Sequence, residues 1–216
     1  MELRYPESKV EVRGFSAKHY DGLLDVLSLG RYGPLIGKCI ELIGISPEDR
    51  ILDLGAGSGR NACLMMSYLG PEGRLVAVDI SREMLLQFRE RCSPFPNAWG
   101  VQASIDQPLP LAGGFDKVLI SFVLHGFPQK VREVILTNSW QALRPGGKLF
   151  ILDYNEFPYE DAPFYIKVPF KLMECPYAFD FIGRDWKGIL TTYGFGDLKE
   201  HLFFKGYIRL LQAQKG

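Results

Sequence analysis

The stretch from Arg50 to Asn61, "RILDLGAGSGRN", constrains this chain more than any other. Ile51, Leu52 and Leu54 show no polar alternation, as in a strand covered on both faces, yet Asp53 stands among them. Gly55, Gly57 and Gly59 follow at alternate positions. A residue without Cβ accepts positive φ and lets another group approach the backbone closely. The pattern predicts a strand, a tight loop and a helix start, where a ligand can meet unpaired N–H groups and the positive end of a dipole. A bare strand–helix corner would use the same glycines for geometry alone.

The rest of the chain repeats this alternation. "GRLVAVDI", "DKVLISFVL" and "GKLFILDY" are apolar strand runs, and "NAWGVQAS" is a weaker one. Helices are predicted over 61–69, over "REMLLQFRER" with Ser81 as N-cap, and over "QKVREVILTNSWQAL" after Pro128. In the last of these, Val131, Val134, Ile135 and Leu143 recur on one face. "DLKEHLFF" and "GYIRLLQAQ", separated by Lys205 and Gly206, read as an antiparallel pair. Residues 16–44 read as helical, with an interruption at Gly30–Pro34. Alternating strands and helices imply right-handed crossovers. The expected fold is α/β, a doubly wound, mostly parallel seven-stranded sheet with an antiparallel C-terminal strand, in a single domain over 1–216. Its parts are a helical N-terminal cap (1–44), a cofactor-binding core (45–155), an acceptor-site insertion (156–182) and a last helix with a strand hairpin (183–216).

Composition narrows the function classes. The 25 basic residues cancel the 25 acidic ones, which argues against nucleic acid or anionic lipid as partner. No apolar run has the length of a membrane span, and "MELRYPESKVEVRG" lacks a signal-peptide core, so a cytoplasmic protein is expected. Cys39, Cys63, Cys92 and Cys175 are scattered without a CxxC pair, which argues against a structural zinc and fits a reducing compartment. No metal is expected. Monomer and homodimer both stay open.

Asp79 ends the second strand, roughly twenty residues past the loop, where an acid can accept hydrogen bonds from both hydroxyls of a ribose. It could also serve only the helix start at Ser81. Two nucleosides compete for such a site. A dinucleotide fingerprint wants G-x-G-x-x-G, but Arg60 stands where the third glycine belongs, and Asp53 would repel a pyrophosphate. A carboxylate there suits a ligand carrying an ammonium or sulfonium group. The chemistry favours S-adenosylmethionine over NAD.

"ILDLGAGSGRNA", "LVAVDIS", "FDKVLISFVLHGF" and "ALRPGGKLFILDY", in this order and spacing, resemble the successive motifs of the class I S-adenosylmethionine-dependent methyltransferases. The nearest branch is the small-molecule one that includes ubiquinone/menaquinone-biosynthesis-type enzymes. The resemblance covers roughly residues 45–155 and extends to the C-terminal "GRDWKGILTTYGFGDLKEH". It implies that Gly55, Ala56 and Gly57 lie against the methionine part, with Asp53 near its amino group. Gly59 and Asn61 complete that loop, and Asp79 would hold the ribose. Ile80 and Met84 would flank the adenine. Members often carry an acid and an alanine at the adenine edge; this chain has Gln102, Ala103 and Ser104, leaving that contact to Ser104, a backbone amide or Asp106. Ser121 and Phe122 would line the floor beneath the methyl group, and Tyr20, before Asp21, would cover the cofactor, unless it is simple core.

His125, just past the fourth strand, is the best-placed titratable residue for removing a proton from an acceptor, although a lone histidine there also reads as structural. The aromatic and proline-rich "YNEFPYEDAPFYIKVPFKLMECPYAFDF" would surround an apolar or planar small-molecule acceptor, or else pack as core or dimer surface. It lacks the Asn-Pro-Pro-Tyr pattern of amino-group DNA methyltransferases. A binding protein without turnover and a nicotinamide-dependent oxidoreductase are the alternative readings.

Overall fold

The structure, a computed structural model, describes Ser8 and residues 30–110 and 113–216. Seven strands run β1 (Arg50–Leu54), β2 (Arg74–Asp79), β3 (Ala98–Gln102), β4 (Phe115–Ser121), β5 (Leu143–Tyr154), β6 (Phe195–Phe203) and β7 (Ile208–Lys215). They form one sheet in the order β3-β2-β1-β4-β5-β7-β6. Neighbours from β3 to β5 are parallel, and β7 alone reverses, antiparallel to both β5 and β6. The strand order switches at β1/β4, where chain connections leave in opposite directions and a crevice opens at the strand C-termini.

The helices are α1 (Tyr32–Ile43), α2 (Arg60–Met66), α3 (Arg82–Arg91), α4 (Gln129–Ala142), α5 (Phe164–Met173), α6 (Pro176–Ile182) and α7 (Trp186–Thr192). They cover both faces of the sheet. Leu52 joins Ile120, Ile135, Phe181 and Trp186 on one side, whereas Ile51 joins Ile36, Met65, Phe88 and Phe150 on the other. This is why β1 shows no polar alternation. Ser81 caps α3 as expected, its Oγ accepting from Met84 N–H at 3.3 Å.

Several expectations are corrected. Within the expected break at Gly30–Pro34, Gly30 and Arg31 are non-helical and α1 starts at Tyr32, with Pro34 in its first turn, where an N–H has no helical partner to lose. Residues 16–29 lie outside the described residues. On α4 the buried face carries Arg132, Asn138 and Ser139 beside Ile135 and Leu136, while Val131 and Val134 are half-buried. Polar residues can turn inward there because each finds acceptors: Asn138 donates to Ile105 O at 2.9 Å and Gln107 O at 2.8 Å. Leu143 opens β5 instead of ending the helix. Cys63 on α2 and Cys92 after α3 form a disulfide with Cα atoms 5.7 Å apart, 29 residues distant in sequence. Nothing in the cysteine spacing points to that pair.

Phe88 holds the loop helix against the sheet. It is 1% exposed, and a Cβ on Gly59 would meet its ring at 2.6 Å, one on Gly100 at 3.0 Å. Truncating Phe88 to alanine should cost about 3–5 kcal/mol of unfolding free energy. Urea titration checks this, and a loss under about 1 kcal/mol would mean the site collapses without a cavity.

Candidate cofactor and acceptor site

The loop after β1 is left-handed at three points, with φ of 78° at Gly55, 56° at Gly57 and 80° at Gly59. At Gly57 a Cβ would meet nothing within 4 Å, so beside its backbone the space is open. The first amides of the loop are already engaged. Gly55 and Ala56 N–H both donate to Val78 O, at 2.8 and 3.1 Å. That contact pins the loop to the end of β2 and leaves their carbonyls and surfaces, not their donors, for a ligand. Asn61 is half-buried in the first turn of α2.

Asp79 does more than either sequence reading supposed. Its Oδ2 accepts from Gly57 N–H and its Oδ1 from Ser81 N–H, both at 2.8 Å. It thereby ties the glycine loop to the start of α3, and each carboxylate oxygen retains a lone pair for a further donor. Burial raises its pKa, and the backbone hydrogen bonds partly oppose that rise.

Asp53 lies at the base of the same crevice, 1% exposed, and its Oδ2 has no hydrogen-bond partner. Burial first, and then the neighbouring Asp79 charge, push its pKa up to about 7. A buried carboxylate without a cation is costly, so this oxygen marks a place for a donor from outside the chain.

Ile80 and Met84 flank Asp79 on the α3 side, Met84 being 2% exposed. Ala103 N–H donates to Asp79 O at 3.1 Å. The hydroxyl of Ser104 donates to Asp106, whose side chain is buried, so two of the candidates for the adenine edge are joined to each other. At the end of β4, Ser121 Oγ is buried without a partner. Phe122 adopts φ +53°, rare for a bulky residue, and its ring faces Tyr32 at 6.0 Å and Tyr154 at 6.4 Å. Tyr20 lies outside the described residues. Tyr32, which sequence reasoning did not single out, stands beside the start of α2, its ring 5.0 Å from the Arg60 guanidinium carbon and 6.0 Å from that of Phe122. An aromatic at the first position of a helix carried no distinguishing pattern.

His125 stands in the short turn Leu124–Gly126. Its Nδ1 is 2.7 Å from Asp153 Oδ1, and its Nε2 is 3.4 Å from Glu174 Oε2. Tyr154 packs edge-on against the imidazole at 5.2 Å and donates its hydroxyl to Glu174 Oε1 at 2.7 Å. Burial lowers the proton affinity of His125, but the Asp153 charge and hydrogen bond, with the Glu174 charge, outweigh it and leave the pKa raised. Sequence reasoning found His125 but not its two acids: Asp153 stands among apolar strand residues, and Glu174 lies 49 positions away within the aromatic stretch, with no local signal pairing either with the imidazole.

A cleft of about 620 Å³ lined by Met66, Leu69, Arg74, Phe95 and Trp99 opens at the other end of β2 and β3, away from these groups. Among the described residues no cluster of side chains could hold a metal ion, and no helix is long and apolar enough to cross a membrane.

The strand order, the loop and the paired acids define a Rossmann-like methyltransferase fold. Residues 51–147 match the family described as methyltransferase domain. The ubiquinone/menaquinone biosynthesis C-methyltransferase UbiE of Ectopseudomonas mendocina is 34% identical over 159 residues, covering 72% of this chain and 61% of the relative. The chain thus spans about three fifths of the length of the curated relatives it matches. A SAM-dependent methyltransferase from Aquifex aeolicus superposes with a TM-score of 0.63 at 18% identity, over 84% of this chain and 89% of that one. Human N-acetylserotonin methyltransferase in complex with SAM gives 0.65 at 20%, over 93% and 55%. Residues 51–147 thus carry a methyltransferase domain, and the chain is similar in sequence and in fold to class I S-adenosylmethionine-dependent methyltransferases. The cofactor of that class fits the residues present. A buried Asp53 oxygen has no hydrogen-bond partner, the space beside Gly57 is open, and Asp79 has acceptor capacity left.

The raised pKa of Asp53 makes stability pH-dependent. The folded protein keeps this proton up to about pH 7, whereas an unfolded chain releases it near its ordinary value of 3.8. Stability should therefore fall as pH rises from about 4 to about 7, Asp79 adding the same sign. Asp53→Asn should be more stable than the parent at pH 8 by up to a few kcal/mol, and nearly equal to it at pH 4. Urea unfolding at both pH values reads this; equal differences at the two would show that Asp53 ionises normally.

Proposed function

We propose that the protein transfers a methyl group from S-adenosylmethionine to a small-molecule acceptor whose planar or apolar body packs between Phe122, Tyr154 and Phe170. The unpaired, buried Asp53 oxygen is the observation that carries the cofactor half of this reading. When bound, S-adenosylmethionine supplies an already activated methyl group on a sulfonium. The residues of the chain then have to bind, align and exclude water, and such positioning can contribute about 7–11 kcal/mol. Asp53 would accept from the amino group and Asp79 from the ribose hydroxyls. Ile80 and Met84 would flank the base, Ala103 and Ser104 its edge, and Ser121 and Phe122 would lie under the methyl group, with Tyr32 beside Phe122.

The aromatic side of the site supports an apolar acceptor. Tyr154 contacts Phe170 at 5.0 Å, and Phe170 contacts Phe179 at 5.0 Å and Phe157 at 5.9 Å. Where the acceptor arrives protonated, His125 Nε2 would take the proton while Asp153 holds Nδ1–H in the required tautomer. Glu174, now beside Nε2, would yield its place to the acceptor or share the proton.

Isothermal titration with S-adenosylmethionine and S-adenosylhomocysteine tests the cofactor half. The parent should bind both, and Asp53→Asn and Asp79→Ala should each weaken binding by at least about tenfold, a loss of a charge-assisted bond. Absence of binding by the parent, or unaltered binding by both variants, would end the assignment. For turnover with an acceptor found by screening, His125→Ala should lower kcat on the order of 10²–10⁴-fold. Unchanged turnover would remove the proton-transfer role and leave the cofactor site standing.

A further inference from the structure

Arg132 is a charged residue in the middle of a buried helix face, and its side chain is 0% exposed. Its five donors all have acceptors. Nε donates to Leu124 O at 2.9 Å, and Nη2 to His125 O at 3.4 Å and Tyr177 O at 2.6 Å. Nη1 donates to Asp180 Oδ2 at 2.6 Å and Gln129 Oε1 at 3.4 Å. The guanidinium carbon lies 5.1 Å from the centre of the Phe181 ring and 5.7 Å from that of Trp186. Two of these acceptors belong to the turn that carries His125, and two belong to α6. One guanidinium thus bolts a turn from the β4 side to a helix from the insertion, which share no strand pairing.

We propose that Arg132 is the positioning residue of the acceptor side: it fixes the Leu124–Gly126 turn to α6 and so sets where the imidazole stands between Asp153 and Glu174. This rests on the reading of His125 as proton acceptor. The alternative, a cation retained for packing alone, does not account for its contacts. Packing against Phe181 and Trp186 needs no hydrogen bonds to the turn, yet Leu124 and His125 both present carbonyls to it. The turn also meets the insertion through Cys175 Sγ, 3.9 Å from His125 O, and through the imidazole itself, 3.4 Å from Glu174 Oε2 and 6.5 Å from the Phe181 ring, whereas Arg132 supplies the charged donors to its carbonyls. Among the described residues the titratable groups around the imidazole are Asp153 and Tyr154 of β5, Glu174 and Cys175 between α5 and α6, and Arg132 itself. The acids favour the imidazolium, and Arg132 opposes it. Asp180 tempers that opposition and is shared with Arg184, whose Nε and Nη2 reach it at 2.8 and 2.7 Å.

The test needs no acceptor. In ¹⁵N-labelled full-length protein, the His125 ring and the amides of Leu124–Gly126 are followed by NMR across pH for the parent, Arg132→Met, Arg132→Lys and Asp180→Asn. Thermal melting reports folding, and titration with S-adenosylhomocysteine reports the cofactor side. In Arg132→Met the ring should titrate at higher pH, by roughly half a pH unit or more, because a nearby positive charge is gone. The turn amides should shift as well, with S-adenosylhomocysteine affinity within about twofold of the parent, since the contacts of Arg132 lie on the acceptor side. Arg132→Lys should restore much of the titration but not the amide positions, because an ammonium cannot span five acceptors. A folded Arg132→Met with unchanged ring titration and turn amides overturns the proposal. Should that variant not fold, Asp180→Asn decides. It leaves Arg132 in place but less neutralised, so the ring should titrate at lower pH; no movement there overturns the proposal equally. Neither outcome touches the His125→Ala turnover result, which judges the proton-transfer reading separately.

Discussion

A carboxylate held in the dry interior between two strands organises the cofactor side of this molecule. Asp53 sits in β1 in register with Ala77 of β2 and Leu119 of β4, so its backbone cannot move without breaking the centre of the sheet. The apolar neighbours Leu52 and Leu54 are fully buried on either side of it. Such a group is unfavourable when ionised and alone, and the nearby Asp79 makes it more so. The fold tolerates that cost because the strands are anchored elsewhere by apolar packing. On the proposed reading, a cationic ligand would favour the ionised carboxylate that burial otherwise disfavours.

The glycine loop turns this charge into a shaped site. Val78 O holds the Gly55 and Ala56 amides, and Asp79 holds the Gly57 amide, so the loop is fixed by β2 before any ligand binds. Phe88 blocks side chains at Gly59 from below, and the Cys63–Cys92 bridge joins the two helices that flank it. Preorganisation of this kind lowers the ordering penalty of binding. The strained backbone at Phe122 belongs to the same frame, since its N–H is held by Leu152 O at 2.7 Å.

The proposed acceptor side has a different construction. His125, Asp153, Tyr154 and Glu174 come from a turn, a strand and the end of a helix in the insertion, and are joined by side-chain contacts rather than by the sheet ladder. Arg132 links the turn to α6. On the proposed reading, the nucleoside half is built from backbone geometry common to parallel sheets, and the acceptor half from a particular set of side chains. That division matches a class in which one cofactor serves many acceptors.

What local sequence determined follows from short-range physics. Continuous apolar runs, Ser81 as a cap, Pro128 at a helix start and alternate glycines act within a few residues, so the seven strands, the loop and the pair Asp53 and Asp79 were all legible. What only the tertiary structure decided depends on partners far apart in the chain. The periodicity of α4 pointed to Val131 and Val134, but Arg132 turned inward because Leu124, Tyr177 and Asp180 waited there with acceptors. Tyr32 took a place beside Arg60 and Phe122 that no local pattern marks. Cys63 met Cys92, and Glu174 met His125, across 29 and 49 positions, distances at which a sequence carries no geometric signal. Hydrophobic pattern and turn chemistry are local, whereas hydrogen-bond satisfaction of a buried charge is decided by whatever the finished fold brings beside it.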